Sequence, residues 1–207
     1  MAELTLKPAD KSLAGQPGQF AYWQFFTAGI SSESHPFSLT NPPESKRLNI
    51  AVKNDGDYTK KLINLHPGAP VLAEGPYGRF LLAQGKKRQI WMAGGIGIAP
   101  FLSLARSRLL NRFVVDLYYV VRYPEEAVYL PELQAIAGKT KTFRVFPYYS
   151  AKQSRFKADY ILKNSPDIKQ ADIYLCGLAP MMKDLRQQLV ALNLPNDRIH
   201  SEEFSFL

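Results

Sequence analysis

The chain has 207 residues, 46% of them apolar, with 26 lysines and arginines against 18 aspartates and glutamates; this is enough for one large globular domain or two small ones and rules out a disordered chain. The longest apolar run, Gln89 to Leu104, is broken by glycines short of the ~20 residues of a membrane span, residues 1–19 hold no continuous apolar core of a signal peptide, and the single cysteine excludes an internal disulfide or a four-cysteine cluster and fits a reducing compartment. The net charge of +8 is concentrated in residues 86–207, which carry 18 basic and 11 acidic side chains against 8 and 7 in residues 1–85, yet no basic block or aromatic-interleaved repeat marks a nucleic-acid surface.

Two textures meet near Gly85-Lys86-Lys87-Arg88, dividing the chain into an expected domain at 1–86 and another at 87–207. In the first, stretches rich in β-branched and aromatic residues (Gln19–Thr27, Arg47–Lys53, Ala69–Glu74) alternate with turn signals such as Gly15-Gln16-Pro17-Gly18 and Asn41-Pro42-Pro43. This pattern predicts a small antiparallel barrel, interrupted by a helix over Asp57–Leu65 that stops at His66-Pro67-Gly68. In the second, strands at Gln89–Ala93, Val114–Val121, Arg144–Pro147 and Ala171–Cys176 alternate with helices at Pro100–Asn111, Pro131–Ala137, Lys157–Asn164 and Met181–Leu192. That alternation predicts a parallel sheet with helices on its faces, so the expected class is β plus α/β.

The strongest local signal is Gly94-Gly95-Ile96-Gly97-Ile98-Ala99-Pro100, between a buried strand and a helix. Glycines there let backbone amides approach a phosphate, although neither the G-x-G-x-x-G fingerprint nor the P-loop is present. His35-Pro36-Phe37-Ser38 brings an imidazole, a ring and a hydroxyl together; read alone, Phe37 is a core residue and His35 a surface one. Lys53 to Thr59 places a hydroxyl at a helix start, either a phosphate site or an ordinary cap by Asp57 or Thr59. Glu74 to Phe80 reads as a turn. His35, His66 and His200 are too scattered to suggest a metal centre, and none is expected.

Taken in order, His35-Pro36-Phe37-Ser38, Gly56-Asp57-Tyr58-Thr59, Gly75-Pro76-Tyr77-Gly78, the glycine turn from Gly94, Tyr174-Leu175-Cys176-Gly177 and the terminal Glu202-Glu203-Phe204-Ser205-Phe206 resemble the ferredoxin–NADP⁺ reductase superfamily over residues 5–206. The variant motifs are similar to those of the cytosolic dehydrogenase domain of ferric reductases and NADPH oxidases. The resemblance implies a flavin-binding β-barrel followed by a Rossmann-like NAD(P)-binding domain. Phe37 would pack on the flavin ring, Ser38 would lie near flavin N5, and His35 would replace the family's arginine at the pyrophosphate. Gly56, Tyr58 and Thr59 would share that phosphate, with Lys53 as a neighbour.

In the second half the resemblance implies that Gly94, Gly95, Gly97 and Pro100 cradle the nicotinamide dinucleotide. Cys176 and Gly177 would stand beside the nicotinamide, the thiol as a positioning group and not a nucleophile; a small apolar residue ending a strand is compatible with that role. Leu178-Ala179 come between Cys176-Gly177 and Pro180, where the family pattern has proline at once. Arg122, Ser150 and Arg155 resemble contacts to an adenosine 2′-phosphate, and no acid ends the second strand, which favours NADPH over NADH. Phe204 or Phe206 resembles the aromatic that covers the flavin, with Glu202 or Glu203 beside it; a frayed tail is the alternative.

The expected activity is hydride transfer from NADPH to FAD, then single-electron transfer to an acceptor outside the chain: the haem of a transmembrane domain, a ferric chelate or oxygen. Leu4-Thr5-Leu6-Lys7-Pro8 looks like the second strand of the family's six, which suggests a domain excised from a longer membrane protein and lying at the cytoplasmic face. The alternatives are a free-standing NAD(P)H–flavin or ferredoxin reductase and, in another class, a non-catalytic basic binding module on the same fold.

Overall fold

The computed structural model describes residues 1–9 and 13–203, with side chains of all of these except Glu203. The chain forms two compact units, residues 1–81 with 99–107 and residues 82–98 with 108–207.

In the first unit β2 (Phe20–Phe25) runs between β3 (His35–Ser38) and β5 (Val71–Tyr77), antiparallel to both, while β1 (Ala2–Leu6) pairs antiparallel with β4 (Leu48–Val52). A bridge between Leu39 and Ile50 joins the two antiparallel pieces. Alternation along β2 sends Ala21, Trp23 and Phe25 inward and leaves Tyr22 on the outer face. Those three side chains meet Ile50, Val52 and Leu62 of α1 (Asp57–Ile63) in one core, and burial stabilises by roughly 1.5–3 kcal/mol per large apolar side chain. The indole N–H of Trp23 is not stranded, since it donates to the Phe37 carbonyl at 3.3 Å.

α2 (Ala99–Ala105) belongs to this unit: Ser103 Oγ donates to the Asn41 carbonyl at 2.7 Å, and the Arg106 guanidinium donates to Glu3 at 2.6 Å and to the Thr40 carbonyl at 3.0 Å. The helix predicted over Pro100–Asn111 is therefore shorter than expected. Arg106 and Ser107, whose hydroxyl donates to Glu44, are committed to tertiary partners, and a 3₁₀ turn at Arg108–Arg112 replaces the last helical turns. β5 continues to Tyr77, through residues whose composition reads as a turn, because Phe20 still offers it a partner across the ladder.

The second unit carries a five-stranded parallel sheet in the order β10-β9-β6-β7-β8, with β6 (Arg88–Gly94), β7 (Val114–Val121), β8 (Phe143–Tyr149), β9 (Asp172–Gly177) and β10 (Ile199–Glu203). β9 is buried at every position and β7 at all but its first, as expected of parallel strands covered on both faces. α5 (Ala158–Asn164) and α6 (Ala179–Ala191) cover one face through Ile161, Met182, Leu185 and Leu189. α3 (Leu130–Lys139) and the short α4 (Ser150–Gln153) complete the connections. α4 and β10 are additions to the predicted elements; Ile199-His200-Ser201-Glu202-Glu203 has one apolar residue, and an edge position in the sheet, not its composition, makes it a strand.

At the N-terminal end of the sheet Asp116, 1% exposed, accepts from Arg144 at 2.6 and 2.7 Å, from Ser165 and from Arg88. Arg88 also donates to Asp167 at 2.7 and 2.8 Å. Every acceptor of the buried carboxylate is thereby used, the condition on which burying an ion is tolerable. The opposite ends of β6 and β9, where an open parallel sheet offers a crevice for ligands, hold the glycine turn and Cys176-Gly177.

Candidate functional site

In the first unit β3 and the start of α1 bring the sequence-predicted residues together. The His35 and Tyr58 rings lie against each other at a tilt of 35° with centroids 3.8 Å apart, and the imidazole Nε2 lies 3.6 Å from the Glu33 carboxylate. The Tyr58 hydroxyl is buried without a hydrogen-bond partner, and burial followed by the nearby Glu33 charge pushes its phenol up. Ser38 is 3% exposed and its Oγ likewise has no partner. Phe37 leans on the barrel core while Pro36 is exposed. Orphaned hydroxyls at buried positions are costly unless something else bonds them.

Gly56 precedes α1 at φ 155° with nothing within 4 Å of the place a Cβ would take, so the backbone there is open to a ligand. No side chain caps the helix, contrary to the Asp57 or Thr59 cap allowed by the sequence. Thr59 Oγ1 instead accepts from the Asp55 amide at 3.0 Å and donates to the Gly56 carbonyl at 3.1 Å, so its hydroxyl braces the loop. Lys53 pairs with Asp55 at 3.3 Å on the surface.

In the second unit β6 ends at Gly94 and a 3₁₀ turn over Gly95–Ile98 leads to Pro100. The glycines of this turn are glycines for different reasons. A Cβ on Gly97 would fall on the Cys176 carbonyl, so this residue exists to let the turn lie against β9. Gly95 has φ +56° and open space around it. Gly94 and Gly177 face each other across the strand ends: a Cβ on Gly177 would sit 3.0 Å from the Gly94 Cα. The result is a shallow cradle at the strand ends, with the Met181 side chain filling the place a Gly94 Cβ would take and the fully buried Cys176 beneath.

Burial, reinforced by Glu202, holds the Cys176 thiol well above its ordinary pKa, which keeps it a neutral thiol and not a thiolate. Glu202 is its register partner on β10; burial lifts this carboxyl to about 7, and its Oε2 has no hydrogen-bond partner. Phe204 and Phe206 lie outside the described residues. Leu178, inserted before Pro180, is 66% exposed and immediately precedes α6.

Of the three residues expected at a 2′-phosphate, two share a site. Ser150 and Arg155 line a cavity of about 260 Å³ with Phe156, Pro180 and Met181, whereas Arg122, outside that lining, lies over the Tyr123 ring at 5.2 Å. Arg155 Nη2 is 3.2 Å from the Asp184 carboxylate, a partner that the sequence pattern does not single out because α6 and the loop after β8 meet only in the fold. Among the described residues no group of three metal-ligating side chains exists.

Two family models match the chain. Residues 1–80 match a family model described as an FAD-binding domain, and residues 91–187 match one described as an oxidoreductase NAD-binding domain. The chain is 32% identical over 200 residues to the ferredoxin–NAD(+) reductase component of the alkene monooxygenase system of Xanthobacter autotrophicus, a match covering 91% of this chain and 61% of that protein. Among solved structures it superposes on the Amycolatopsis cytochrome P450 reductase GcoB with a TM-score of 0.80 and 25% identity, covering 98% of this chain and 64% of that one. A ferredoxin NADP⁺ reductase from Neisseria gonorrhoeae shares the fold, with a TM-score of 0.75, 22% identity, and 97% and 91% coverage. The chain thus spans somewhat under two thirds of the length of the two reductases matched first. With an FAD-binding domain, an NAD-binding domain and this pairing of antiparallel sheets with a five-stranded parallel sheet, the chain belongs to the ferredoxin–NADP⁺ reductase superfamily.

Proposed function

We propose that the chain is an FAD-dependent NAD(P)H reductase that feeds electrons singly to a separate acceptor protein. The observation that carries this reading is the pair of buried, unpartnered hydroxyls on Ser38 and Tyr58 in the unit matched to an FAD-binding domain. When bound, nicotinamide and flavin supply the hydride chemistry and the change from two-electron to one-electron transfer.

The residues of the chain bind and orient. Phe37 offers a ring face on the barrel core and Ser38 Oγ a hydrogen bond to the flavin edge. Tyr58, His35 and the open backbone at Gly56 offer donors to the pyrophosphate. In the other unit Gly94, Gly95 and Gly177 let the dinucleotide approach the strand ends, where Cys176 supplies an apolar floor that leaves a nicotinamide ring in one place. Gly97 and Pro100 shape the turn, and Lys53, Thr59 and Arg122 support the loops around these sites.

The relatives favour a reductase serving a separate acceptor over the haem-bearing membrane protein suggested by the motif variants, since the first match is named as a component of a monooxygenase system. No helix among the described residues is long and apolar enough to cross a membrane. The test is an anaerobic stopped-flow mix of FAD-loaded protein with NADH and with NADPH. Bleaching of the flavin band by either nucleotide is the expected result; retention of the band with both, despite bound flavin, overturns the reading.

A further inference from the structure

We propose that Asp184 sets the choice between the two nicotinamide dinucleotides by competing with a ribose 2′-phosphate for Arg155. The inference rests on the nucleotide reading above and concerns which form of the nucleotide that site takes.

Ser150 and Arg155 provide the polar side chains of an otherwise apolar cavity of about 260 Å³. The loop that presents Arg155 is tied down. Tyr148 Oη donates to the Gln153 carbonyl at 2.6 Å, and the Tyr149 amide donates to Gln153 Oε1 at 2.9 Å. Ser154 then adopts φ 70°, ψ −169°, a region nearly reserved for glycine, and the direction in which residue 155 leaves the loop follows from it.

The carboxylate opposite is equally constrained. On α6, Pro180, Met181 and Asp184 fall on one helical face, so the two residues that line the cavity and the acid beside it come from one surface. Asp184 Oδ2 takes Arg155 at 3.2 Å and a hydrogen bond from Gln188 Nε2 at 3.0 Å, and Gln188 is itself fixed by accepting from the Ala158 amide at 2.9 Å. The acid is held against the arginine from behind.

A 2′-phosphate brings close to two negative charges. It reaches Arg155 only by displacing the carboxylate or by standing beside it as a like charge, whereas the 2′-hydroxyl of NADH meets neither penalty. Arg155 is 64% exposed and Asp184 32% exposed, so solvent weakens the pair and the expected effect is a shifted ratio, not an absolute switch. Arg155 by itself therefore does not argue for NADPH.

The test measures binding of adenosine 2′,5′-bisphosphate and adenosine 5′-monophosphate to the full chain by calorimetry at fixed ionic strength. Asp184→Asn is expected to bind the bisphosphate about five- to ten-fold more tightly than the parent, with the monophosphate unchanged. Asp184→Glu is expected to behave as the parent, and Arg155→Ala in the Asp184→Asn background to abolish the gain. An unchanged ratio of the two affinities in Asp184→Asn, or an equal change in both, overturns the inference. Failure of both ligands to bind any variant overturns it as well, and flavin bleaching by NADH in the same preparation then tells whether the nucleotide reading falls with it.

Discussion

Glu202 on β10 stands beside Cys176 on β9 as a parallel register pair, with one carboxylate oxygen buried and unpartnered. Burial raises this carboxyl from an ordinary 4.5 to about 7. The folded protein therefore binds a proton that the unfolded chain has lost between those two values. The associated stability is complete below 4.5 and disappears as pH rises through 7. Glu202→Gln removes that dependence. It is expected to be more stable than the parent at pH 8, by on the order of 2 kcal/mol after allowance for the part of the carboxyl that reaches water, and to lose the advantage at pH 4.5. Urea midpoints at the two pH values measure it, and parallel pH profiles would contradict it.

The same pair governs thiol chemistry. A fully buried thiol held above its ordinary pKa carries little thiolate, so iodoacetamide should leave Cys176 unmodified in the native protein and alkylate it rapidly in urea. Stoichiometric labelling of the folded chain on the urea timescale would show that the strand ends open, and the apolar floor beneath the cradle would no longer be a fixed surface.

The glycine turn yields a contrast between neighbours. Gly95→Ala meets no atom but must hold φ +56°, a strain of about 1–2 kcal/mol. Gly97→Ala drives a methyl into the backbone of Cys176, which has no flexible end to yield, and should cost more than Gly95→Ala by at least ~1 kcal/mol. Chemical denaturation of both variants orders them; equal losses would mean that the turn swings away from β9 without resistance.

How far this architecture is legible in the sequence depends on whether a residue's reason is local. The buried runs of β6, β7 and β9 announce a parallel sheet because covering both faces demands unbroken apolar residues. Gly95 and Gly97 stand out through their shared motif, although only the distance from Gly97 to Cys176, and the open space at Gly95, shows which of the two lies against β9. β10 is invisible because a polar edge strand is defined by its neighbour. The early end of α2 follows from the partners of Arg106 and Ser107, and the Arg155–Asp184 pair from the meeting of a loop and a helix remote in sequence. Thr59 shows the opposite limit: its position is legible, but the bonds that occupy its hydroxyl are not.

Asp116 tests the internal scaffold of the parallel sheet. Burial alone would raise this carboxyl, but hydrogen bonds from Arg144, Ser165 and Arg88 more than offset it and leave the acid below its ordinary value. Its contribution is present above the unfolded pKa and is lost as pH falls through the lower folded value. Asp116→Ala leaves the Arg88 guanidinium, whose side chain is 12% exposed, with Asp167 as its remaining carboxylate partner of that network, and is expected to destabilise by about 3–5 kcal/mol. A loss under ~1 kcal/mol in denaturant melts at neutral pH would show that water replaces the carboxylate.

The unpartnered hydroxyls separate a ligand site from a packing accident. Removing a buried hydroxyl that has no partner relieves a desolvation penalty, so Tyr58→Phe and Ser38→Ala should leave the flavin-free protein as stable as the parent or slightly more stable. If Tyr58 donates to a phosphate oxygen, Tyr58→Phe also weakens FAD binding by about tenfold, the worth of one charge-assisted hydrogen bond. Thermal melts without flavin and titration of FAD into the flavin-free protein read the two effects independently. Reduced stability with unchanged FAD affinity would assign the hydroxyl to the fold, and the phosphate would then depend on His35 and the open backbone at Gly56.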